Sequence, residues 1–292
     1  MPTIAVTGAS GFVGKRWLAY NKDRYINISL SLRELDAAAL DLKGVDALLH
    51  LAGKAHQMDP IEDQVYFDVN YELTRQLADR AKQQGVRQFI YISSTKVYGD
   101  DIRETLDERS PCHPTDAYGT SKLQAEQYVQ SLADGTFTVA VIRPPLVYGP
   151  GVKGNMARLL QLADKNYPLP FGNSCNARSM VFVDNLVELI NRIIEQNAGG
   201  VFIAGDRQPL ATDALLGLIR KELGKSRRLF TVPGPLRAGI RIIRPALYTR
   251  LFGSFVVDNG ATNRKLDFIP PYTTEQGVAQ MVNWFKQHRP LR

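Results

Sequence analysis

The 292-residue sequence holds only two cysteines, Cys112 and Cys175, and four scattered histidines. Two thiols cannot build a disulfide framework or a four-ligand zinc centre, and no two histidines share the helical spacing of a ligand pair. A metal site is therefore not expected, and a reducing, cytoplasmic setting is. No apolar run approaches the ~20 residues that span a bilayer. Internal repeats, low-complexity tracts and Gly/Ser linkers are missing too, which excludes solenoid and disordered classes. Met1-Pro2 leads straight into Ile4-Ala5-Val6 without a basic leader or cleavage site, adding to the cytoplasmic expectation.

Acid is scarce in one place. Between Arg220 and Arg250 nine basic residues stand against the single acid Glu222, so the net charge of +7 is concentrated there. What is present elsewhere is ordinary: 44% hydrophobic and 22% charged residues suffice for a large globular core.

Apolar runs alternate with helical patterns through the first half. The pattern predicts strands at 3–7, 26–30, 46–51, 88–93 and 137–143, and helices at 12–21, 61–84 and 116–133. Such alternation implies an α/β fold with a parallel sheet covered by helices on both faces. Ala47-Leu48-Leu49-His50-Leu51 and Phe89-Ile90-Tyr91-Ile92 lack polar alternation, as strands buried on both faces do. Gly85 reads as a helix stop. Beyond Pro144-Pro145 the elements shorten and Gly and Pro punctuate them, which suggests a separate lobe. A helix near 184–197 and a strand near 201–204 are expected to return to the main sheet.

Directly after the first strand comes Thr7-Gly8-Ala9-Ser10-Gly11-Phe12-Val13-Gly14, opening a helix. Glycines suit that place because a Cβ would block both the tight turn and the approach of a pyrophosphate to the helix amides. Gly8, Ser10, Gly11, Phe12, Val13 and Gly14 are thus candidate dinucleotide contacts. A carboxylate for the adenosine ribose is expected where the second strand ends, yet Ser31-Leu32-Arg33 stands there. Arg33 could pair with a 2′-phosphate, which favours NADP(H) over the alternative NAD(H).

Tyr118-Gly119-Thr120-Ser121-Lys122 sets a phenol and an ammonium four residues apart on one helix face. A tyrosine titrates near ~10 unperturbed, and an adjacent ammonium lowers that value. Upstream, Ser93-Ser94-Thr95-Lys96 ends a buried strand with hydroxyls at the carboxyl edge, where doubly wound sheets place ligands. Ser94 can hold a reacting oxygen while Tyr118 exchanges its proton and a nicotinamide exchanges hydride.

Together these residues resemble the extended short-chain dehydrogenase/reductase family, especially its nucleotide-sugar epimerases, dehydratases and 4-ketoreductases. The resemblance implies a Rossmann-type fold: residues 1–150, joined by about 180–205, would bind the dinucleotide, with 151–179 and 206–292 as the substrate lobe. It assigns Ser94, Tyr118 and Lys122 as catalytic. It implies cofactor contacts at Leu51, Ala52 and Gly53, at Asn70 in Val69-Asn70, and at Ser93, Tyr118, Lys122 and Pro144, although Leu73 replaces a family glycine. On the substrate side it implies Ser94, Thr95, Lys96, Tyr118, Asn155, Met156, Phe171, Arg178 and Asp258. Arg178 would grip phosphates through its planar fork. In Arg143-Pro144-Pro145-Leu146, Leu146 replaces an asparagine that often touches the sugar diphosphate.

The implied substrate is a nucleotide-diphosphate sugar, UDP-linked, of the kind used in surface-polysaccharide synthesis, and the implied assembly is a homodimer through helices 61–84 and 116–133. Arg33 favours a UDP-4-keto-6-deoxy-hexosamine reductase, with a UDP-hexose or UDP-N-acetylhexosamine 4-epimerase as alternative. Thr95-Lys96 stands where a 4,6-dehydratase carries its acids, which argues against that reaction. His50, His56 and Asp184 lack ligand spacing. Peripheral membrane contact is a second hypothesis: Leu236, Ile240, Ile243 and Leu247 share a helical stripe flanked by Arg237, Arg241 and Arg244, although Pro245 interrupts it. A packed lobe helix is preferred to it. A non-catalytic NADP(H) sensor is the weakest reading, and nucleic-acid binding has no supporting motif.

Overall fold

The computed structural model describes residues 1–31, 40–55, 62–100, 104–165, 167–174, 176–243, 248–249 and 252–289, with side chains omitted at 236, 237, 240 and 241. Arg33, His56, Cys175, Arg244, Pro245, Leu247 and Arg250 lie outside the described residues.

Five residue-long β1 (Thr3–Thr7) sits between β2 (Ile26–Leu30) and β3 (Ala47–His50), followed by β4 (Gln88–Ile92), β5 (Thr138–Arg143) and β8 (Gly200–Ile203), all parallel. The chain runs from β1 to β2 on one side and to β3 on the other, so a switch point opens between β1 and β3. Register aligns the carboxyl ends: Thr7 pairs with His50, His50 with Tyr91, and Ile92 with Ile142. Turns leaving these strands therefore share one edge.

Helices cover both faces. On one, α1 (Phe12–Tyr20) and α6 (Val183–Glu195) pack Trp17, Leu186 and Ile190 on Ile4, Val6 and Ile90. On the other, α3 (Leu73–Gln83) and α4 (Ala117–Ser131) pack Leu77, Ala81 and Val129 on Ala5, Leu48 and Phe89. The central strands are buried on both sides, as their unbroken apolar runs require; edge strand β2 is not, and exposes Ile26 and Ile28.

The single helix expected at 61–84 is three pieces: α2 (Asp63–Tyr66), a π-helical turn (Phe67–Glu72) and α3. That wider turn, a form often found at functional sites, leaves the Asn70 carbonyl to accept from Thr74 Oγ1 at 2.8 Å. Gly85 ends α3 at φ +78°, as expected of a left-handed stop.

The lobe contains β6 (Leu146–Tyr148) paired with β7 (Met180–Phe182), and helices α5 (Gly154–Asp164), α7 (Thr212–Glu222), α8 (Gly234–Ile243), α9 (Gly260–Leu266) and α10 (Thr274–His288). Its core joins Tyr148, Met156, Phe171, Phe182, Leu216 and Met281.

Candidate active site

The glycine run lies at the switch point. Gly8 has φ +68°, and a Cβ there would sit 2.6 Å from the Ala52 nitrogen; a Cβ on Gly14 would collide with the Gly8 carbonyl. The two turns and the start of α1 can therefore touch only without side chains. No acidic residue stands in the first turn of α1, and Gly11 caps it without a side-chain bond, so nothing competes for an anion at its amides. Ser10 is exposed, whereas Phe12 and Val13 are half-buried and pack on the lobe core, Val13 on the main core as well.

Across the switch point, a run of hydrogen bonds fixes Leu51-Ala52-Gly53. The Ala52 amide donates to Thr7 Oγ1 (3.2 Å), which lies 2.7 Å from His50 Nδ1; His50 Nε2 lies 2.9 Å from Thr74 Oγ1, which donates to the Asn70 carbonyl. One polarity satisfies every member: Thr7 donates to Nδ1 and Nε2–H donates to Thr74. Burial, with Lys122 nearby, pushes His50 down to about 3, so it stays neutral. His50 is a packed orienting residue, and no metal-holding group exists among the described residues. Asn70 clamps the same loop, accepting from Lys54 N (2.8 Å) and donating to Lys54 O and to Ser121 Oγ.

Asp116 caps α4 by accepting from the Gly119 amide at 2.7 Å, which places Tyr118 and Lys122 one turn apart at the sheet edge. Lys122 Nζ donates to the Ile92 carbonyl at 2.9 Å and lies 4.7 Å from the Tyr91 ring centre. A Cβ on Gly53 would meet this Nζ at 3.1 Å and Asn70 Oδ1 at 3.0 Å. Burial pulls the Lys122 ammonium down to about 8, against the opposing pull of Glu126.

Ser94 caps the 3-10 turn Thr95–Tyr98 and hydrogen-bonds the Tyr118 hydroxyl. Burial raises the Tyr118 pKa, and this bond from Ser94 is what opposes the rise. The sequence argument gave that lowering role to Lys122, whose ammonium instead donates to the Ile92 carbonyl. Tyr66 meets the Tyr118 ring edge-on at 5.9 Å. The Ser93 hydroxyl is buried with no protein partner, an exception that calls for a ligand or a water. Pro144 is buried, and its carbonyl accepts from the Thr95 amide at 3.1 Å.

The donor set fits a dinucleotide: a glycine cradle that any Cβ would fill, open helix amides and an orphaned hydroxyl share one edge. Sequence reasoning passed over Glu126, which receives three bonds from the Arg143 guanidinium, the shortest at 2.6 Å, while Arg143 also donates to Tyr98 OH at 2.8 Å. Two signals could have found it: Glu126 lies four residues beyond Lys122, and a charged residue closing a buried strand needs a buried partner.

The substrate-side candidates scatter. Thr95 is buried, and Lys96 pairs with Asp100 and approaches Asp116 at 3.7 Å. Asn155 is exposed at the start of α5, but Met156 and Phe171 are buried in the lobe core, Phe171 6.2 Å from the Phe252 ring. Arg178 donates to the carbonyls of Gly253 and Thr249, each at 3.0 Å. Asp258 is exposed and accepts from the Gly260 amide at 2.7 Å, opening α9.

The chain is similar to known proteins along most of its length. The family described as NAD dependent epimerase/dehydratase matches residues 4–205. A UDP-glucose 4-epimerase of Vibrio cholerae is 33% identical, over 98% of this chain and 96% of its own. An N-acetyl-α-D-glucosaminyl-diphospho-ditrans,octacis-undecaprenol 4-epimerase of Escherichia coli O157:H7 is 27% identical, over 96% and 94%. Among solved structures, a Bacillus cereus UDP-glucuronic acid 4-epimerase in complex with NAD superposes with a TM-score of 0.77 at 20% identity, covering 98% of this chain and 99% of that one. The chain is an enzyme of the NAD dependent epimerase/dehydratase family.

Proposed function

We propose that this enzyme is a nucleotide-sugar 4-epimerase that acts on a UDP-hexose or UDP-N-acetylhexosamine and retains NAD through turnover. The reading rests above all on the Ser94–Tyr118 hydrogen bond at the edge where Lys122, Gly53 and the orphaned Ser93 hydroxyl meet. A nicotinamide held there would supply hydride chemistry at C4 of the sugar. Gly8, Gly11, Gly14, the Leu51-Ala52-Gly53 turn, Ser93 and Lys122 would hold it, with Pro144 beside it.

Tyr118 takes the proton of the sugar 4-hydroxyl, Ser94 hydrogen-bonds that oxygen, and Tyr118 returns the proton once the 4-keto sugar has presented its other face. A buried neutral phenol must ionise for the first half of this cycle, which Lys122 and a positive nicotinamide both favour. Residues 1–150 with 180–205 form the dinucleotide domain in this reading, and 151–179 with 206–292 the sugar lobe. Asn155 and Arg178 meet the diphosphate; Met156 and Phe171 shape the lobe behind them.

The preference for NADP(H) and a 4-ketoreductase rested on Arg33, outside the described residues. The Vibrio relative named as a 4-epimerase, and the NAD complex of the Bacillus protein, move the reading to epimerase and NAD. A second reading, in which a polyprenyl lipid replaces the nucleoside on the diphosphate, is favoured by the substrate in the Escherichia coli relative's name. The test is incubation with UDP-glucose and UDP-N-acetylglucosamine, no dinucleotide added. The 4-epimer is the expected product; oxidation of added NADPH with a 4-keto-6-deoxy sugar nucleotide, and no epimerisation, would show a reductase.

A further inference from the structure

Tyr118, Lys122 and Glu126 follow one another at four-residue steps along one face of α4, and each meets a different segment of the carboxyl edge. Tyr118 hydrogen-bonds Ser94, Lys122 Nζ donates to the Ile92 carbonyl that ends β4, and Glu126 accepts from Arg143, the last residue of β5. At its amino end α4 also touches the 3-10 turn Thr95–Tyr98 directly, since a Cβ on Gly119 would sit 2.8 Å from the Lys96 carbonyl.

Arg143 is the residue that reaches both the helix and the turn. Its Nε lies 3.1 and 3.0 Å from the two Glu126 carboxylate oxygens and its Nη2 2.6 Å from one of them. On the other side Nη1 donates at 2.8 Å to the hydroxyl of Tyr98, the residue that ends the turn capped by Ser94. That hydroxyl donates onward to the Asp107 carbonyl at 2.8 Å, so Tyr98 is fixed from two sides. Arg143 and Glu126 are both buried. An ion pair so placed adds little stability that apolar residues of similar volume would not, because desolvation of the charges offsets their attraction. What apolar residues do not supply is direction: a planar guanidinium fixes angle as well as distance.

We propose that Arg143 is a positioning residue for proton transfer, setting the approach of Ser94 to Tyr118 by tying the turn that carries one to the helix that carries the other. The inference rests on the reaction proposed above. Ser94 and Tyr98 stand at opposite ends of one short turn, and Tyr118 and Glu126 lie about two helical turns apart on one face. Held by the Ser94–Tyr118 bond alone, turn and helix would pivot about it. Arg143 provides the second fixed point, at the far end of each element, and leaves the two hydroxyls one mutual orientation. Lys122 ties the helix to β4 and not to the turn, so it does not replace this link.

Arg143→Met/Glu126→Leu and Tyr98→Phe are compared with wild type by UDP-glucose epimerisation, dinucleotide calorimetry, thermal melting and crystallography. In the double variant kcat should fall about 10²-fold, with KM and dinucleotide affinity unchanged and most of the melting temperature retained. Tyr98→Phe, which removes one side of the link, should lose kcat several-fold, again at unchanged KM. In the crystal structure of the double variant the Tyr118 hydroxyl should stand beyond hydrogen-bond reach of Ser94. Wild-type kcat in a folded double variant, activity lost only in proportion to folded protein, or an intact Ser94–Tyr118 bond overturns the proposal. Should the double variant not fold, Tyr98→Phe carries the test, and an unchanged kcat there overturns it. A bond broken in the variant of a protein whose wild type does not epimerise removes the reaction and keeps the positioning role; wild-type epimerisation with bond and kcat intact in both variants does the reverse.

Discussion

At the carboxyl edge of the main sheet, Gly8, Gly53, Ser93 and Lys122 are placed by backbone, through parallel register, tight turns and a buried hydrogen-bond chain. In the lobe, Asn155, Met156, Phe171, Arg178 and Asp258 are placed by side-chain packing, and their atoms are largely engaged by protein: two in the core, one on carbonyls, one on a helix amide. A motif whose meaning is a backbone path carries between relatives almost unchanged, because few residues can follow that path. A motif whose meaning is the direction of one side chain depends on neighbours that its own sequence does not display.

The sharpest way to break this contrast is Tyr118→Phe, which removes the proton carrier and leaves the fold. Turnover should fall about 10²- to 10⁴-fold, with dinucleotide binding by calorimetry retained; a smaller loss would detach the phenol from the chemistry. Next comes Arg143→Met, which strands the Glu126 carboxylate in the core. Chemical denaturation should show a loss of about 3–5 kcal/mol, most of it recovered in Arg143→Met/Glu126→Leu. Phe171→Ala in the lobe should cost about 3–5 kcal/mol, a stability effect for a residue the sequence marks as a ligand contact.

Lys122 sharpens the comparison through pH. Its folded value of about 8 lies below its usual 10.5, so between those values the unfolded chain binds more protons and stability rises with pH. The penalty is full below pH 8, on the order of 3 kcal/mol. In the ligand-free protein, Lys122→Met should therefore melt higher than wild type at pH 7, and the gap should close towards pH 10.5. A constant gap would place the cost in packing instead of charge. The smallest effect belongs to Asn155→Ala: exposed at a helix start, it should raise KM several-fold and leave the melting temperature unchanged.

Much of the parallel sheet could be read because strands buried on both faces leave unbroken apolar runs, and the dinucleotide cleft because only glycine follows the turn at Gly8. The π turn could not: Asn70 is held by Lys54 and Ser121, contacts distant in sequence, and helical periodicity averages over one inserted residue. The Glu126–Arg143 pair escaped notice because its members lie on different elements, each unremarkable alone. His50 lacks ligand spacing in the sequence, which gives it no role, and only Thr7 and Thr74 on its two nitrogens show it to be an orienting residue.

The most direct measurement follows the hydrogen on the reacting carbon. UDP-glucose deuterated at C4 is converted in ordinary water without added dinucleotide, and the product is read by mass spectrometry and NMR. If Tyr118 handles the proton while a retained nicotinamide carries the hydride, the 4-epimer forms with its deuterium still at C4. Loss of the label to solvent, or conversion only while added cofactor is consumed, contradicts that division of labour.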